Sequence, residues 1–266
     1  MSFDLGPALL FCPADRPERY AKASMRADAV IIDLEDAVAP VDRPAARAAL
    51  VAHPLDPETT IVRVNPAGTP DFALDLAAIE KTGYRQLMMA KAENPRQVHA
   101  LSGYAVIALC ETAAGIVAAP QLAAVPHVVA LMWGAEDLIA SLGGSSSRFL
   151  DGSYRAVTRH ARSSVLIAAG AFGKAAIDSV FLSLPDLSAL SVEAEDAVAS
   201  GFRATACIHP SQVTVIREAY RPTAAEVAYA WALLEAATTE RGVFQYQGRM
   251  IDDPVLRHAE AVLRRA

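Results

Sequence analysis

The chain has 266 residues, of which 53% are apolar, so its composition is that of a globular protein and excludes a disordered chain. A formal net charge of −6 argues against a general nucleic-acid binder, because such proteins usually carry a basic balance. No apolar stretch reaches the roughly 20 residues that span a bilayer, and residues 1–4 lack the positive start of a signal peptide, so no membrane association is expected.

Short apolar runs recur along the chain, each followed by a polar loop and a segment with a helical pattern. Continuous apolar runs are typical of strands buried on both faces, and their alternation with helices predicts a parallel sheet. About eight repeats favour an α/β fold, a (β/α)8 TIM barrel, with a doubly wound open sheet as the alternative. The predicted strands are 8–12, 29–34, 60–64, 86–90, 105–110, 128–133, 179–184 and 204–208, and the clearest predicted helices are 16–26, 43–51, 71–81 and 113–124.

The last part of the chain is predicted to be an appendage to the barrel. A helix to about residue 220 is followed by a break at Arg221-Pro222, and Thr223 with Glu226 forms a capping box that opens another helix. A short strand over 243–246, a turn at Gly248 and a final helix from about residue 254 complete the chain. We expect residues 1–220 to form the catalytic barrel and residues 221–266 a C-terminal helical extension, or lid, that contributes to the active site.

Three cysteines lie far apart, each inside or beside an apolar run: Cys12, Cys110 and Cys207. An odd number at such spacing predicts no disulfide framework, and free cysteines usually pack as small hydrophobes. We therefore expect three buried, reduced thiols in a reducing, cytoplasmic compartment.

Charged side chains follow most of the predicted strands. In a barrel the carboxyl ends of all strands meet at one rim, where barrel enzymes build their active sites, so residues scattered in sequence should converge. Several carboxylates with few neutral ligands favour Mg²⁺, and an arginine suits capture of a carboxylate or stabilisation of an enolate oxygen. The residues are Asp33, Glu35 and Asp36 after the second strand, Arg63 and Asn65 after the third, Lys91, Glu111, then Glu136 and Asp137, and finally His209.

Two basic features of this pattern have alternative interpretations. Lys91 offers an amine for a Schiff base, although a lysine on a rim more often pairs with carboxylates. Arg16, Arg19 and Lys22 follow the first strand, where they form either a solvated helix face or a phosphate-binding patch at a helix N-terminus.

Several motifs, in order and each at a strand end, resemble those of the citrate lyase β-subunit-like proteins. These proteins belong to the wider HpcH/HpaI aldolase group, which includes malyl-CoA and citramalyl-CoA lyases. The resemblance runs from about residue 8 to the end of the chain. The matching segments are LFCPADRPER (10–19), DLEDAV (33–38), VRVN (62–65), ALCETAAG (108–115), WGAEDL (133–138) and CIHPSQ (207–212).

The resemblance implies a role for particular residues. It implies that Glu111 and Asp137 bind Mg²⁺, with Mn²⁺ as an alternative, and that Arg63 contacts the substrate. It also implies that Glu35 and Asp36, together with Asp33, lie near metal-bound waters or Arg63 and assist catalysis. The residues that it suggests for coenzyme A are Phe11, Arg16 and Lys22.

The C-terminal segment 250–254 also matches the group. In the lyases it carries a catalytic aspartate across a subunit boundary, and Asp252 is the corresponding position here. Asp252 is equally placed to cap the helix that begins near Pro254, and the two roles are compatible. A residue shared between subunits requires a homo-oligomer, for which a trimer is the first expectation.

The expected activity is reversible cleavage of a β-hydroxyacyl-CoA thioester to acetyl-CoA, or a homologue, and a small 2-oxo acid. Three alternatives stay open: an aldolase acting on free hydroxy-oxo acids, a subunit of a citrate lyase complex acting on acyl groups carried by a partner protein, and a non-catalytic carboxylate-binding protein.

Overall fold

Eight parallel strands form a closed barrel in the computed structural model, which describes residues 3–240 and 242–266. The first strand pairs with both the second and the eighth, so the sheet has no free edge and the open doubly wound alternative is excluded. In chain order, which is also their order around the barrel, the strands are β1 (Ala8–Pro13), β2 (Ala29–Asp33), β3 (Thr60–Val64), β4 (Gln86–Met89), β5 (Ala105–Cys110), β6 (Val128–Trp133), β7 (Ala175–Asp178) and β8 (Ala204–Cys207).

Helices alternate with these strands, as the sequence pattern predicts. Short 3-10 helices cover Pro17–Arg19, Pro40–Asp42 and Pro57–Thr59. No helix in the described part of the chain is long and apolar enough to cross a membrane. The α-helices that follow the strands are α1 (Tyr20–Ser24), α2 (Arg43–Ala52), α3 (Pro70–Ile79), α4 (Pro95–His99), α5 (Ala113–Ala123), α6 (Ala135–Ser141), α7 (Ala156–Ala171), α8 (Leu187–Ser200) and α9 (Pro210–Tyr220).

The interior of the barrel is filled by side chains from alternate positions of the strands. Such layers make the middle of a (β/α)8 barrel a packed core and leave its carboxyl rim for chemistry. The three cysteines are free and buried, as predicted. The inward-facing residues include Leu9, Ile31, Ile61, Met88, Ile107, Leu109, Met132 and Ile177.

The seventh strand lies earlier than the sequence pattern predicts. Residues 179–184 favour a strand because they contain Val180, Phe181 and two leucines, but this segment forms a loop in which Leu182 is 53% exposed. The actual strand is β7, which starts after a connection of only three residues from α7 and pairs with β6 and β8. Tertiary pairing therefore selects the short, alanine-rich segment over the one with the higher strand propensity.

The described part of the chain divides into two compact units, of which the first ends at Ile216 and the second begins at Arg217. The second unit contains the end of α9, α10 (Ala224–Ala237), a hairpin of β9 (Phe244–Tyr246) and β10 (Arg249–Ile251), and α11 (Asp253–Leu263). Its small core includes Leu233, Ile251 and Ala259. The predicted capping box is present, because Thr223 and Glu226 each accept a hydrogen bond from the other's backbone N–H.

Candidate active site

A buried ion pair joins Arg63 to Asp33 at the carboxyl ends of β3 and β2. The parallel register places the two residues side by side. The guanidinium donates two bonds to the carboxylate, from Nε to Oδ1 at 2.7 Å and from Nη2 to Oδ2 at 2.6 Å. Asp33 also accepts the backbone N–H groups of Glu35 and Ala37, each at 3.0 Å. This bidentate pair fixes the orientation of Arg63 and directs its remaining nitrogen, Nη1, toward other partners.

Glu35 and Phe11 lie next to this pair. Oε2 of Glu35 is 3.1 Å from Nη1 of Arg63, and Glu35 is almost completely buried. Burial raises the pKa of Glu35, whereas the charge of Arg63 opposes that shift. The guanidinium carbon of Arg63 lies 4.8 Å from the centroid of the Phe11 ring, within cation–π distance. Arg63 is therefore held on one side by carboxylates and on another by an aromatic ring.

The ammonium group of Lys91, just after β4, stands among four carboxylates. Its Nζ donates a hydrogen bond to Glu35 and lies 3.2 Å from Asp36, 3.4 Å from Asp137 and 3.9 Å from Glu111. Burial lowers the pKa of Lys91, but the hydrogen bond to Glu35 and the charge of Glu111 outweigh it, and the pKa is raised. Because a Schiff base forms from the neutral amine, this environment favours the ion-pairing interpretation of Lys91.

Glu111, which follows β5, is buried in a space that a glycine provides. Its Oε1 accepts the backbone N–H of Lys91 at 3.1 Å. A Cβ atom at Gly134 would lie 2.8 Å from Cβ of Glu111 and 2.9 Å from its Oε2, closer than side chains pack. Burial, opposed by Arg63 and reinforced by Asp137, raises the pKa of Glu111 to about 8. The carboxylate is thus held in a fixed place and lacks a full set of compensating charges.

Glu111 and Asp137 converge in a way that fits Mg²⁺. Both lie within ion-pair distance of the same atom, Nζ of Lys91, and the side chain of Asp137, in the first turn of α6, is 35% exposed. Among residues 3–240 and 242–266, no three or more His, Cys, Asp or Glu side chains are grouped as a metal site. Mg²⁺ commonly takes one or two protein carboxylates and completes its coordination with water and substrate oxygens. The pair suits that requirement, and its role as metal ligands stays a prediction.

Asp36, Arg16 and Lys22 lie farther out. The side chain of Asp36 is 54% exposed, and its ion pair is with Lys91. The side chain of Arg16 is 55% exposed and lies 3.9 Å from Asp15, and Lys22 is exposed on α1. The structure therefore brings Phe11 against Arg63, whereas Arg16 and Lys22 face solvent, where a charged ligand has access to them. Their predicted contact with coenzyme A stays a prediction.

Asp252 belongs to the second unit of the chain. It caps α11, because its Oδ1 accepts the backbone N–H of Val255 at 3.3 Å, as the helix-cap interpretation predicts. The cap does not test the predicted role of Asp252 in proton transfer, which stays a prediction.

A further carboxylate at the rim, Asp178, is not predicted from the sequence, because the apolar pattern places the seventh strand too late in the chain. Asp178 ends β7 and is buried. It accepts a hydrogen bond from Nε1 of Trp133 at 2.6 Å and pairs with Arg162, whose Nη2 is 2.8 Å from Oδ2. The signal in the sequence is the short segment Ala-Ala-Ile-Asp, which follows Gly173-Lys174. Through these contacts with Trp133 and Arg162, Asp178 links β7 to β6 and α7.

A buried network supports the loops after β2 and β3. Asp75, on α3, is fully buried and accepts the backbone N–H of Asn65 at 2.9 Å, its Nδ2 at 2.8 Å and Nη1 of Arg47 at 3.0 Å. The amide of Asn65 also donates to the backbone oxygen of Leu34 at 2.9 Å. Asn65, which sequence analysis placed on the rim with Arg63, is thus a structural link between the two loops that carry the charged cluster.

The His209 motif is fixed by a buried amide. Gln212 is fully buried, its Oε1 accepts the N–H groups of Ile208 and His209, and its Nε2 donates to the backbone oxygen of Phe181 at 2.8 Å. His209 itself is exposed, and its Nδ1 lies 2.8 Å from Oγ of Ser211. The motif therefore holds the loops after β7 and β8 together.

The strands form a closed parallel barrel, and its carboxyl rim carries buried carboxylates around an arginine and a lysine. This arrangement is that of a (β/α)8-barrel enzyme with an acidic active site. The comparison with family models narrows this class. The HpcH/HpaI aldolase/citrate lyase model matches residues 8–210, and the chain belongs to that family.

Similar proteins cover nearly the whole chain. A citrate lyase subunit beta-like protein of Mycobacterium tuberculosis is 56% identical over 261 residues, which cover 98% of this chain and 96% of that protein. The mitochondrial citramalyl-CoA lyase of Homo sapiens is 30% identical, covering 95% of this chain and 83% of that protein. The crystal structure of protein CitE from M. tuberculosis, in complex with magnesium, acetoacetate and coenzyme A, superposes with a TM-score of 0.94 at 56% identity and covers 98% of each chain.

Proposed function

We propose that this chain is a magnesium-dependent carbon–carbon lyase that reversibly splits a β-hydroxyacyl-CoA into acetyl-CoA, or a homologue, and a 2-oxo acid. Malyl-, citramalyl- and citryl-CoA are the substrates to consider first. The observation that carries the proposal is the convergence of Arg63, Lys91, Glu111 and Asp137 at one rim of the barrel. The ligands of the similar CitE protein, which are magnesium, a 3-oxo acid and coenzyme A, support the same assignment.

The reaction needs negative charge to be stabilised and a proton to be moved. In cleavage, the β-hydroxyl loses its proton, the carbon–carbon bond breaks to leave a 2-oxo acid and a thioester enolate, and the enolate carbon takes up a proton. Glu111 and Asp137 would hold Mg²⁺, which when bound supplies Lewis-acid polarisation of substrate oxygens. Arg63, already oriented by Asp33, offers its guanidinium to the charge that develops on the substrate.

The remaining site residues have proposed roles of their own. Glu35 would keep Arg63 and Lys91 in place, since it contacts both. Phe11, Arg16 and Lys22 would bind coenzyme A, with the two basic side chains meeting its phosphates. Asp252 would give the proton to the enolate carbon and remove it in the reverse direction, from its own or a neighbouring subunit. We further propose a homo-oligomer, with a trimer as the first expectation, which analytical ultracentrifugation can check. The proposed compartment is a reducing cytoplasm.

A panel of thioesters tests the proposed activity. The purified protein is mixed with Mg²⁺ and malyl-, citramalyl-, citryl- or 3-hydroxy-3-methylglutaryl-CoA. The released acetyl-CoA is measured together with the oxo acid, which is a 2-oxo acid from the first three thioesters and a 3-oxo acid from the last. Glu111→Gln should abolish release, whereas Glu80→Gln, an equivalent change in an exposed residue after α3, should leave it unchanged. Release that is insensitive to a chelator, or no release by a protein that binds Mg²⁺, would contradict the proposal.

A second candidate, an aldolase acting on free hydroxy-oxo acids, is favoured by one observation. The buried carboxylates Asp33 and Glu35 pair with Arg63 and Lys91, whereas Arg16 and Lys22 lie on the surface. The double change Arg16→Ala and Lys22→Ala distinguishes the two functions. It should raise the KM for a CoA thioester several-fold if coenzyme A binds there, and leave the KM for a free hydroxy-oxo acid unchanged.

A further inference from the structure

The backbone conformation of Lys91 is unusual for a residue with a side chain. Its φ of +48° is left-handed, a region that residues with a Cβ atom adopt rarely. In the described part of the chain the other non-glycine residue with positive φ is Gln247, which precedes Gly248 in the β9–β10 hairpin turn, where such angles are ordinary. Lys91 lies in no hairpin. A strained residue at a rim full of charges calls for a functional reason.

The surroundings hold this strained turn in place. The N–H of Lys91 donates to Oε1 of Glu111, and the N–H of Ala92 donates to the backbone oxygen of Leu109 at 2.9 Å. The backbone oxygen of Ala92 packs so closely on Gly115 that a Cβ there would lie 2.7 Å away. Residues 91 and 92 are thus fixed between β5 and α5, and the Lys91 side chain starts from a defined point and direction.

The charge balance shows what the ammonium group does at this point. Five carboxylates surround two cations, which gives the cluster a formal charge of −3. The charge of Arg63 is largely matched by the bidentate Asp33. Lys91 is different, because its single charge is shared among Glu35, Asp36, Glu111 and Asp137. Its Nζ lies within 4 Å of both carboxylates proposed to bind the metal, whereas Arg63 acts on Glu111 from a greater distance.

We propose that Lys91 is a charge-balancing residue that weakens metal binding at Glu111 and Asp137 and, in return, allows the metal-loaded site to accept an anionic oxo acid. The inference rests on the proposed magnesium site. With a dication bound and Lys91 present, the cluster has a formal charge of −1. Without Lys91 it has a formal charge of −2, so it attracts the dication more strongly and repels a carboxylate substrate more strongly.

The two expected effects have opposite signs, and this distinguishes the proposal from a purely structural role. A lysine that merely held Glu111 and Asp137 in position would, when removed, weaken binding of the metal and of the oxo acid together. Removal of a charge-balancing lysine would strengthen binding of the metal and weaken binding of the oxo acid. By Coulomb's law, a unit charge about 4 Å away changes an affinity about fivefold in bulk water and about a thousandfold at an effective dielectric constant near 20. Because the Lys91 side chain is partly exposed, we expect a change of about tenfold, near the lower of these limits.

Isothermal titration calorimetry at pH 8.5 provides the test, with MgCl₂ as the first titrant and acetoacetate, at saturating MgCl₂, as the second. Lys91→Met keeps the length of the side chain and removes its charge, Lys91→Gln is a second uncharged variant, and Lys91→Arg keeps the charge. Lys81→Met is the matched control, since this exposed lysine precedes β4 at the opposite end of the barrel.

We expect Lys91→Met and Lys91→Gln to bind Mg²⁺ about tenfold more tightly and acetoacetate about tenfold more weakly than the wild type, with Lys91→Arg closer to the wild type and Lys81→Met unchanged. Weaker Mg²⁺ binding by both uncharged variants, or unchanged binding of either titrant, would overturn the inference and leave the proposed function standing. A wild type that binds no Mg²⁺ would overturn the proposed function and this inference together.

Discussion

Gly134→Ala should weaken the proposed metal site, although it adds a single methyl group to a residue that is not a proposed ligand. Gly134 has φ −126° and ψ +131°, angles that alanine adopts without strain, so backbone conformation does not require a glycine here. What requires it is space, because the new Cβ atom would lie 2.8 Å from Cβ of Glu111 and 2.9 Å from Oε2. Glu111 is 3% exposed and has little room to withdraw.

The size of the effect follows from this contact. Relief of the overlap needs a shift of roughly half an ångström in a close-packed site, and overpacking of this kind costs about 1–3 kcal/mol of stability. A glycine-to-alanine change at compatible angles otherwise stabilises a protein by about 0.4–1 kcal/mol, so the measured loss will be the difference. Disturbing a residue that orients a ligand typically weakens metal binding about 10- to 100-fold, and we expect Gly134→Ala to weaken Mg²⁺ binding by a factor in this range.

Calorimetric titration with MgCl₂ and urea unfolding of the metal-free protein measure the two effects. Gly170→Ala is the matched control, because Gly170 lies inside α7 with open space where its Cβ would be. That change should stabilise the protein by up to about 1 kcal/mol and leave Mg²⁺ binding unaltered. If Gly134→Ala bound Mg²⁺ as tightly as the wild type and were as stable as the control, the argument about the Glu111 pocket would be wrong.

Three further outcomes are expected. Because the pKa of Glu111 is raised to about 8 in the metal-free protein, Mg²⁺ must displace a proton when it binds below that pH. The affinity for Mg²⁺ should therefore increase from pH 6 to pH 8, and titrations in buffers of different ionisation enthalpy should detect the released proton. Equal affinity across this range would contradict the prediction. Gly115→Ala should destabilise the protein by about 1–3 kcal/mol in urea, since its Cβ would lie 2.7 Å from the rigid backbone oxygen of Ala92, whereas a stabilised variant would show that the turn can move. Asp75→Ala should cost about 3 kcal/mol of unfolding free energy, because the backbone N–H of Asn65 loses its acceptor and its Nδ2 keeps only the bond to Leu34. An unchanged urea midpoint would refute that assignment.

The fold and the location of the charged cluster could be predicted from sequence for one reason. Buried parallel strands produce continuous apolar runs, and a barrel gives all their carboxyl ends the same rim. The sequence therefore predicts seven of the eight strands to within one residue at each end, and it places Arg63, Lys91 and Glu111 on the same face of the barrel. The exception, β7, shows the limit of this approach, because strand propensity favoured 179–184 over the alanine-rich segment that pairs.

The pairwise chemistry was decided by tertiary structure. The sequence placed Asp33, Glu35 and Asp36 in one motif, but the parallel register determined that Asp33 binds Arg63, and the turn after β4 determined that Glu35 and Asp36 meet Lys91. Ion pairs depend on distances of a few ångströms between residues as far apart in sequence as 56 positions, and a pattern of apolar runs does not encode such distances.

The sequence by itself thus determined the class of this protein: a (β/α)8 barrel with an acid-rich carboxyl rim, because strand periodicity and strand-end charges are local properties. Only the tertiary structure decided that Lys91 adopts a left-handed turn, that Gly134 leaves room for Glu111 and that Asp178 joins the rim. These features arise where separate strands and helices come into contact, and close packing fixes them only when the barrel is closed.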